Sequence, residues 1–243
     1  MGKSRGNRLN KNSLYLNWLD INIVYGYQIA FCEEESDWEE IDDNVSLPRK
    51  IYGNFQSIIW GENEYITTLP QLNVKIDNLN YTFNGLSALK SVDLSKVKLL
   101  DNTTMSGVIS TFDGCSDLET IIGLPIFEGV TTNTLNTFKE CASLKNLSFT
   151  GGGEINTIND LDLSDCIVFS EQSYLNVAFR LSSNSQNKTL IASTQSANTP
   201  LSKHVRLNQD GKGLEFCNAG DSGDLGTLSE YITTNKGWTL TLV

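Results

Sequence analysis

Three segments of this 243-residue chain repeat one another: Tyr81-Thr82-Phe83-Asn84-Gly85-Leu86-Ser87-Ala88-Leu89, Ser110-Thr111-Phe112-Asp113-Gly114-Cys115-Ser116-Asp117-Leu118 and Asn136-Thr137-Phe138-Lys139-Glu140-Cys141-Ala142-Ser143-Leu144. Self-similarity of this kind constrains a fold more tightly than local propensity does. One such unit cannot bury its apolar face alone and must stack on a copy of itself.

An apolar pattern follows each segment: Leu89, Val92 and Leu94, then Leu118, Ile121 and Leu124, then Leu144, Leu147 and Phe149. Successive Phe positions are 29 and 26 residues apart, close to the roughly 20–29 of a leucine-rich unit. The three-residue spacing of Phe, Leu or Cys, and Leu predicts one or two helical turns with those side chains on one buried face. The period of two that follows predicts a short strand with alternate side chains pointing inward. Asn84-Gly85, Asp113-Gly114 and Gly151-Gly152-Gly153 are read as corners, where positive φ is needed. A fourth copy, Ile158, Leu161 and Leu163, keeps the strand without the Phe, and a degenerate fifth precedes the others at Leu69 to Val74.

The pattern Thr-Phe-x-x-Cys-x-x-Leu-x-x-Leu, with Asp93-Leu94-Ser95 and Asp162-Leu163-Ser164 after it, resembles the BspA-like leucine-rich repeat family. That family's repeat reads Met-Phe-x-x-Cys-x-x-Leu-x-x-Leu-Asp-Leu-Ser. The resemblance covers roughly residues 65 to 168, with Thr where the family has Met, and its Cys position is met by Cys115 and Cys141. It implies a mainly β chain with short helices, an α/β solenoid. The ending from Leu225 to Val243, with a short helix, Asn235-Lys236-Gly237-Trp238 and an alternating strand, is similar to the ending of repeat proteins encoded by phages and prophages of gut bacteria. Its physical task would be to close the open end of the array, and Thr189 to Ala192 is the last strand before it.

Composition narrows the function. A formal net charge of −11 and the lack of a Lys/Arg-rich face argue against binding nucleic acid by counterion release. No apolar run approaches the roughly 18 residues that span a bilayer, and the basic start at Lys3, Arg5 and Arg8 has no apolar stretch behind it, so neither membrane insertion nor a signal peptide is expected. Five widely spaced cysteines, Cys32, Cys115, Cys141, Cys166 and Cys217, fit free thiols made in a reducing compartment. Cys115 and Cys141 occupy an apolar repeat position and read as small buried hydrophobes, with a disulfide between stacked copies as the alternative.

The organisation expected is residues 1–50 as an N-terminal arm and β-rich attachment module, 51–168 as repeats and 169–243 as a C-terminal cap. Leu14 to Trp18 and Ile21 to Tyr25 alternate and predict strands that turn at Leu19-Asp20. The acidic stretch from Glu33 to Asp43 reads as a solvated loop or helix face, or else as a docking segment anchored by Trp38. Trp18, Tyr25 and Trp38 are the candidate attachment residues.

No chemistry of catalysis or cofactor binding emerges. Gly220-Asp221-Ser222-Gly223 matches the nucleophile tetrapeptide of chymotrypsin-like proteases, yet the single His204 lies only 18 residues before Ser222, which cannot rebuild that geometry. His204 is expected on a surface or an edge strand, and the tetrapeptide as a turn. Gly2-Lys3-Ser4 lacks the strand and first Gly of a phosphate loop, and Asp221 with Asp224 lacks the regular order of a calcium loop. No metal, no cofactor and no enzymatic activity are expected. Candidate contact residues are the variable polar strand positions Lys90, Ser91, Asp93, Glu119, Thr120, Lys145, Asn146 and Ser148. The resemblances imply a virion structural or adhesion protein of a phage tail, baseplate or fibre. Its expected partners are other virion proteins, further copies of itself and a host surface receptor. A bacterial BspA-like surface adhesin is the alternative.

Overall fold

The computed structural model describes residues 22–31, 38–42, 45–48, 50–59, 66–69, 71–99, 107–126, 131–183 and 187–243, with the backbone alone up to residue 59 and at 99, 131 and 132. It opens with β1 (Asn22–Phe31), the antiparallel pair β2 (Trp38–Asp42) and β3 (Val45–Pro48), and β4 (Lys50–Ile59). Short strands follow: β5 (Gln71–Ile76), β6 (Ser91–Asp93), β7 (Lys98–Leu99), β8 (Thr120–Pro125), β9 (Thr131–Thr132), β10 (Asn146–Thr150), β11 (Asn156–Thr157) and β12 (Leu161–Leu163). The last part holds α1 (Glu171–Arg180), β13 (Thr189–Ala192), α2 (Thr194–Leu201), the hairpin β14 (His204–Leu207) and β15 (Leu214–Cys217), α3 (Leu228–Glu230) running into a π-helical turn over Tyr231–Asn235, and β16 (Thr239–Leu242). Among the described residues these form small separate sheets, β1-β4-β5-β7, β10-β8-β6, β11-β9 and β12-β13-β16, beside the hairpins β14-β15 and β2-β3.

Pairings that join one copy to the next are parallel: β6 to β8, β8 to β10, β5 to β7 and β9 to β11. Parallel neighbours need a long crossover, and here the rest of the copy is that crossover. Position after position is then carried one copy along. Lys90 donates its N–H to Thr67, Glu119 to Lys90, Lys145 to Glu119 and Ser170 to Lys145, at 2.9–3.0 Å.

The segments expected to be helical turns are not helical. Each is a succession of three-residue turns, with Leu86 N bonded to Phe83 O, Cys115 N to Phe112 O and Cys141 N to Phe138 O. Left-handed backbone at Tyr81 and Gly85, Ser110 and Gly114, and Asn136 and Glu140 interrupts any α-helix at both ends. The intervening amides point to the next copy instead. Leu79, Tyr81, Phe83 and Gly85 donate to Gly107, Ile109, Thr111 and Asp113, and Val108, Ser110, Phe112 and Gly114 donate to Asn133, Leu135, Thr137 and Lys139. Half of the amides thus close local turns while half tie the copies together.

Glu140, at φ 60°, stands where the other two copies have Gly85 and Gly114. A side chain in that region costs about 1 kcal/mol, so Glu140→Gly should stabilise the chain by about that amount in urea denaturation. An unchanged midpoint would refute the idea that strain is stored there.

The core is a set of columns running through the copies. Phe83, Phe112 and Phe138 stack with ring centroids 5.3 and 5.9 Å apart and planes within 12°. Leu89, Leu118 and Leu144 are fully buried, and Val92, Ile121 and Leu147 nearly so. Cys115 and Cys141 are free, buried thiols that donate to Phe83 O at 3.0 Å and Phe112 O at 3.1 Å, and Cys166 is free and buried as well. Desolvation pushes the Cys115 thiol up to about 12 and the other two further up.

The Thr of each copy joins this scheme. Thr111 Oγ1 donates to Leu79 O and Thr137 Oγ1 to Val108 O, both at 2.8 Å, whereas the buried Thr82 Oγ1 has no hydrogen-bond partner among the described residues. Thr111→Val should therefore cost about 1 kcal/mol while Thr82→Val, the same change one copy earlier, is neutral or stabilising. Equal losses at the two sites, measured by chemical denaturation, would contradict this account.

Two expectations need correction. Ile158, set in register with Leu89 on sequence, is 52% exposed. The true continuation is Leu163-x-x-Cys166-x-x-Phe169, whose turns Cys166 N to Leu163 O and Phe169 N to Cys166 O repeat those of Cys141 and Leu144. Trp38–Asp42, within the acidic stretch, is a strand rather than a loop or helix. At the N-terminus, Leu14 to Trp18 lie outside the described residues, and β1 pairs antiparallel with β4. Residue 50 begins β4, which is bonded to β1 on one side and β5 on the other.

After β10 a helix takes the place of the next strand. Ser170 caps α1 through its side chain, and two residues on that helix mimic a strand edge: Ser173 Oγ accepts from Leu147 N at 2.8 Å and Asn176 Nδ2 donates to Leu147 O at 2.8 Å. An exposed strand edge is a site for unwanted pairing, and here side chains cover it. Beyond, β12, β13 and β16 form one parallel sheet, with Trp238 buried just before β16. Among the described residues no helix is long and apolar enough to cross a membrane.

Candidate functional site

The eight polar positions picked out on sequence come together on the β6-β8-β10 sheet and its entrance. Register places Ser91, Thr120 and Asn146 side by side, with Val92, Ile121 and Leu147 in the core beneath the next position. Lys90, Glu119 and Lys145 form the row before it, all exposed. Because the ladder repeats every copy, side chains in a row stand roughly 5 Å apart. Signs alternate along the charged row, and Lys90 also meets Asp117 at 2.6 Å, an exposed pair worth little by itself. Asn146 Nδ2 reaches Thr120 Oγ1 at 3.3 Å.

The third row differs. Asp93 is exposed, but its Oδ1 accepts from Ser95 N at 2.8 Å, and Asp162 does the same for Ser164 N at 2.9 Å. The Asp of each Asp-Leu-Ser thus shapes a turn as the chain leaves its strand. Ser148 is half-buried, and its Oγ accepts from Gly123 N at 3.0 Å. Between them lies Ile122, 45% exposed, an apolar contact point that polarity alone did not flag. Gly123, at φ 68°, lets the copies approach: a Cβ there would stand 2.8 Å from Ser95 Cα and 2.9 Å from Thr150 Cγ2.

This surface is a polar ladder. It offers hydrogen-bond donors and acceptors at fixed spacing, both signs of charge and one exposed isoleucine. Among the candidate attachment residues, Trp18 lies outside the described residues, while Tyr25 sits in β1 and Trp38 in β2, where only the backbone is described.

The protease-like tetrapeptide is a turn, with Gly220 and Gly223 at φ 83° and 79° and Asp221 Oδ2 accepting from Asn218 N. His204 begins β14 half-buried, and its Nδ1 lies 3.0 Å from both oxygens of Asp224 rather than near Asp221. Ser222 is exposed. The Asp224 oxygens also accept from Gly220 N and Gly226 N, so this carboxylate organises the loop after β15. Among the described residues no group of three or more His, Cys, Asp or Glu side chains is placed to hold a metal ion.

The Gly220 amide, then His204, then the Gly226 amide hold the Asp224 carboxyl down at about 2. A carboxyl depressed by folding contributes stability that is fully present above its unfolded value of about 3.9. That contribution is lost as pH falls through about 2. The stability gap between the native chain and Asp224→Asn should hold at pH 7 and shrink below about pH 4. A gap independent of pH in denaturant titrations would mean that the side chain acts through packing.

Comparison with known protein families, curated proteins and solved structures finds no match to this chain. Ser173 and Asn176, which terminate the sheet, have no signal in the sequence beyond Ser170-x-x-Ser173 directly after Phe169, the start of a helix.

Proposed function

We propose that the chain is a non-enzymatic structural and adhesion protein of a phage virion, a short leucine-rich solenoid of the BspA-like kind that recognises a protein or host surface. The observation that carries the recognition part is the juxtaposition of all eight variable polar positions on and beside one three-stranded ladder. A close-packed stack fixes the backbone positions from which these side chains project, so no loop has to be ordered when a partner binds, which favours affinity. Copies tied by both backbone ladders and core columns make the stack stiff enough for that task. Placement in a virion rests on the resemblance of the repeat and of the C-terminal ending.

Mass spectrometry of phage particles purified from cells that make this chain tests the proposal. A fixed ratio to the major capsid protein is expected and would give the copy number. Absence from particles together with recovery from the bacterial envelope would overturn it in favour of a surface adhesin.

A further inference from the structure

Beside the β6-β8-β10 ladder, a cleft of about 190 Å³ opens between the end of β10, the last turn of α1 and the loop from β14 to β15. Ser148, Asn176, Phe179, Arg180, Lys212 and Gly213 line it. The chain carries 29 acidic and 18 basic residues, yet the side chains lining this hollow include two cations and no carboxylate. Two acidic groups on neighbouring segments have partners of their own. Glu154 lies 3.8 Å from the buried Lys236, and Asp210 accepts from Lys212 N within its own turn.

The unused hydrogen-bonding capacity of the cleft is mostly donor. Arg180 is held in place by a bond to Gly153 O at 3.2 Å and by the Phe179 ring 5.5 Å away, which leaves other guanidinium N–H groups to donate. Ser148 Oγ already accepts from Gly123 N, so its O–H proton is left to give. Asn176 accepts from Gln172 and gives one amide hydrogen to Leu147 O, which leaves its second hydrogen. The Lys212 ammonium is exposed and makes no ion pair among the described residues. Lys236, 6.0 Å from the Phe179 ring, stands behind the wall, its charge offset by Glu154.

Donors without matching acceptors, around a positively charged hollow, fit an oxyanion. We infer that this cleft binds the carboxylate or phosphate group of a small polar molecule, with Arg180 and Lys212 as the charged contacts and Ser148 and Asn176 as hydrogen-bond donors. The site shares only Ser148 with the recognition ladder and does not depend on the virion assignment.

The test is titration of the full chain at low salt with sodium glucuronate, with glycerol 3-phosphate and with neutral glucose, read by calorimetry. Saturable binding of at least one anion and none of glucose is expected, and the anion that saturates tells carboxylate from phosphate. Lys212→Glu, at an exposed tip where the fold is indifferent to it, should weaken binding at least about tenfold, and Arg180→Gln should weaken it as well. Failure of both anions to saturate, equal binding of glucose, or indifference to Lys212→Glu with an unchanged melting curve would each overturn the inference.

Discussion

Phe112→Ala should destabilise the chain by about 4 kcal/mol, near the top of the range for a buried aromatic. The ring is fully buried, and it is stacked on both sides, against Phe83 at 5.3 Å and Phe138 at 5.9 Å. Truncation opens a cavity between copies and removes two aromatic contacts of roughly 0.5–1.5 kcal/mol each. In a stacked array, stability is close to a sum of unit and interface terms, so a loss in the middle weakens two interfaces at once. Phe83→Ala and Phe138→Ala each break one of these stacks and should cost less. Urea denaturation of the three variants gives the ranking directly. A Phe112→Ala loss no larger than that of Phe83→Ala would show that the column does not act as a coupled stack.

Trp238→Ala should cost about 3–5 kcal/mol, and its effect should concentrate at the C-terminal end. The indole is 1% exposed, and its Nε1–H donates to Ser182 O at 2.9 Å, across 56 residues of chain. Gly237 at φ 71° turns the chain so that the indole enters the core and β16 lies beside β13. Without the anchor, β16 is left with its ladder to β13 and the partly buried Leu240. Trp238→Phe, which keeps much of the packing and loses the N–H, should cost about 1–3 kcal/mol. Hydrogen exchange provides the second reading: in Trp238→Ala the amides of β16 should lose protection before those of β8. Uniform loss of protection along the chain would argue that this residue stabilises the whole array rather than closing its end.

Several parts of this architecture were legible in the residues alone. Phe83, Phe112, Cys115, Leu118 and Leu144 were assigned to one buried face and are buried. The short strands after each Leu, and the final helix, Trp and strand, also lie where the pattern placed them. Other parts were not legible, for definable reasons. A spacing of three residues is shared by helical turns and by successive three-residue turns. What separates them is where the alternate amides go, and for Phe83 that is Thr111 O, 28 residues away. Ile158 looked like a core residue because its neighbours matched, but the register was set by Cys166 and Phe169 further on. The candidate surface was legible as a set of variable polar positions, whereas the exposed Ile122 beside them was hidden by its hydrophobicity. The cleft had no sequence signature, since Ser148, Arg180 and Lys212 lie on three separate elements.

The sequence by itself determined that this chain stacks copies, which residues form the columns and where the last strand lies, because a repeated apolar spacing leaves a unit nowhere else to bury its face. Tertiary structure alone decided how those copies are joined, how the sheet ends and which polar groups remain free. Those outcomes depend on hydrogen bonds between residues 25 or more positions apart, such as Leu147 with Ser173 and Thr111 with Leu79. No local pattern encodes which partner an amide or hydroxyl will meet. It is set only when neighbouring copies come into contact and the buried backbone groups have to pair.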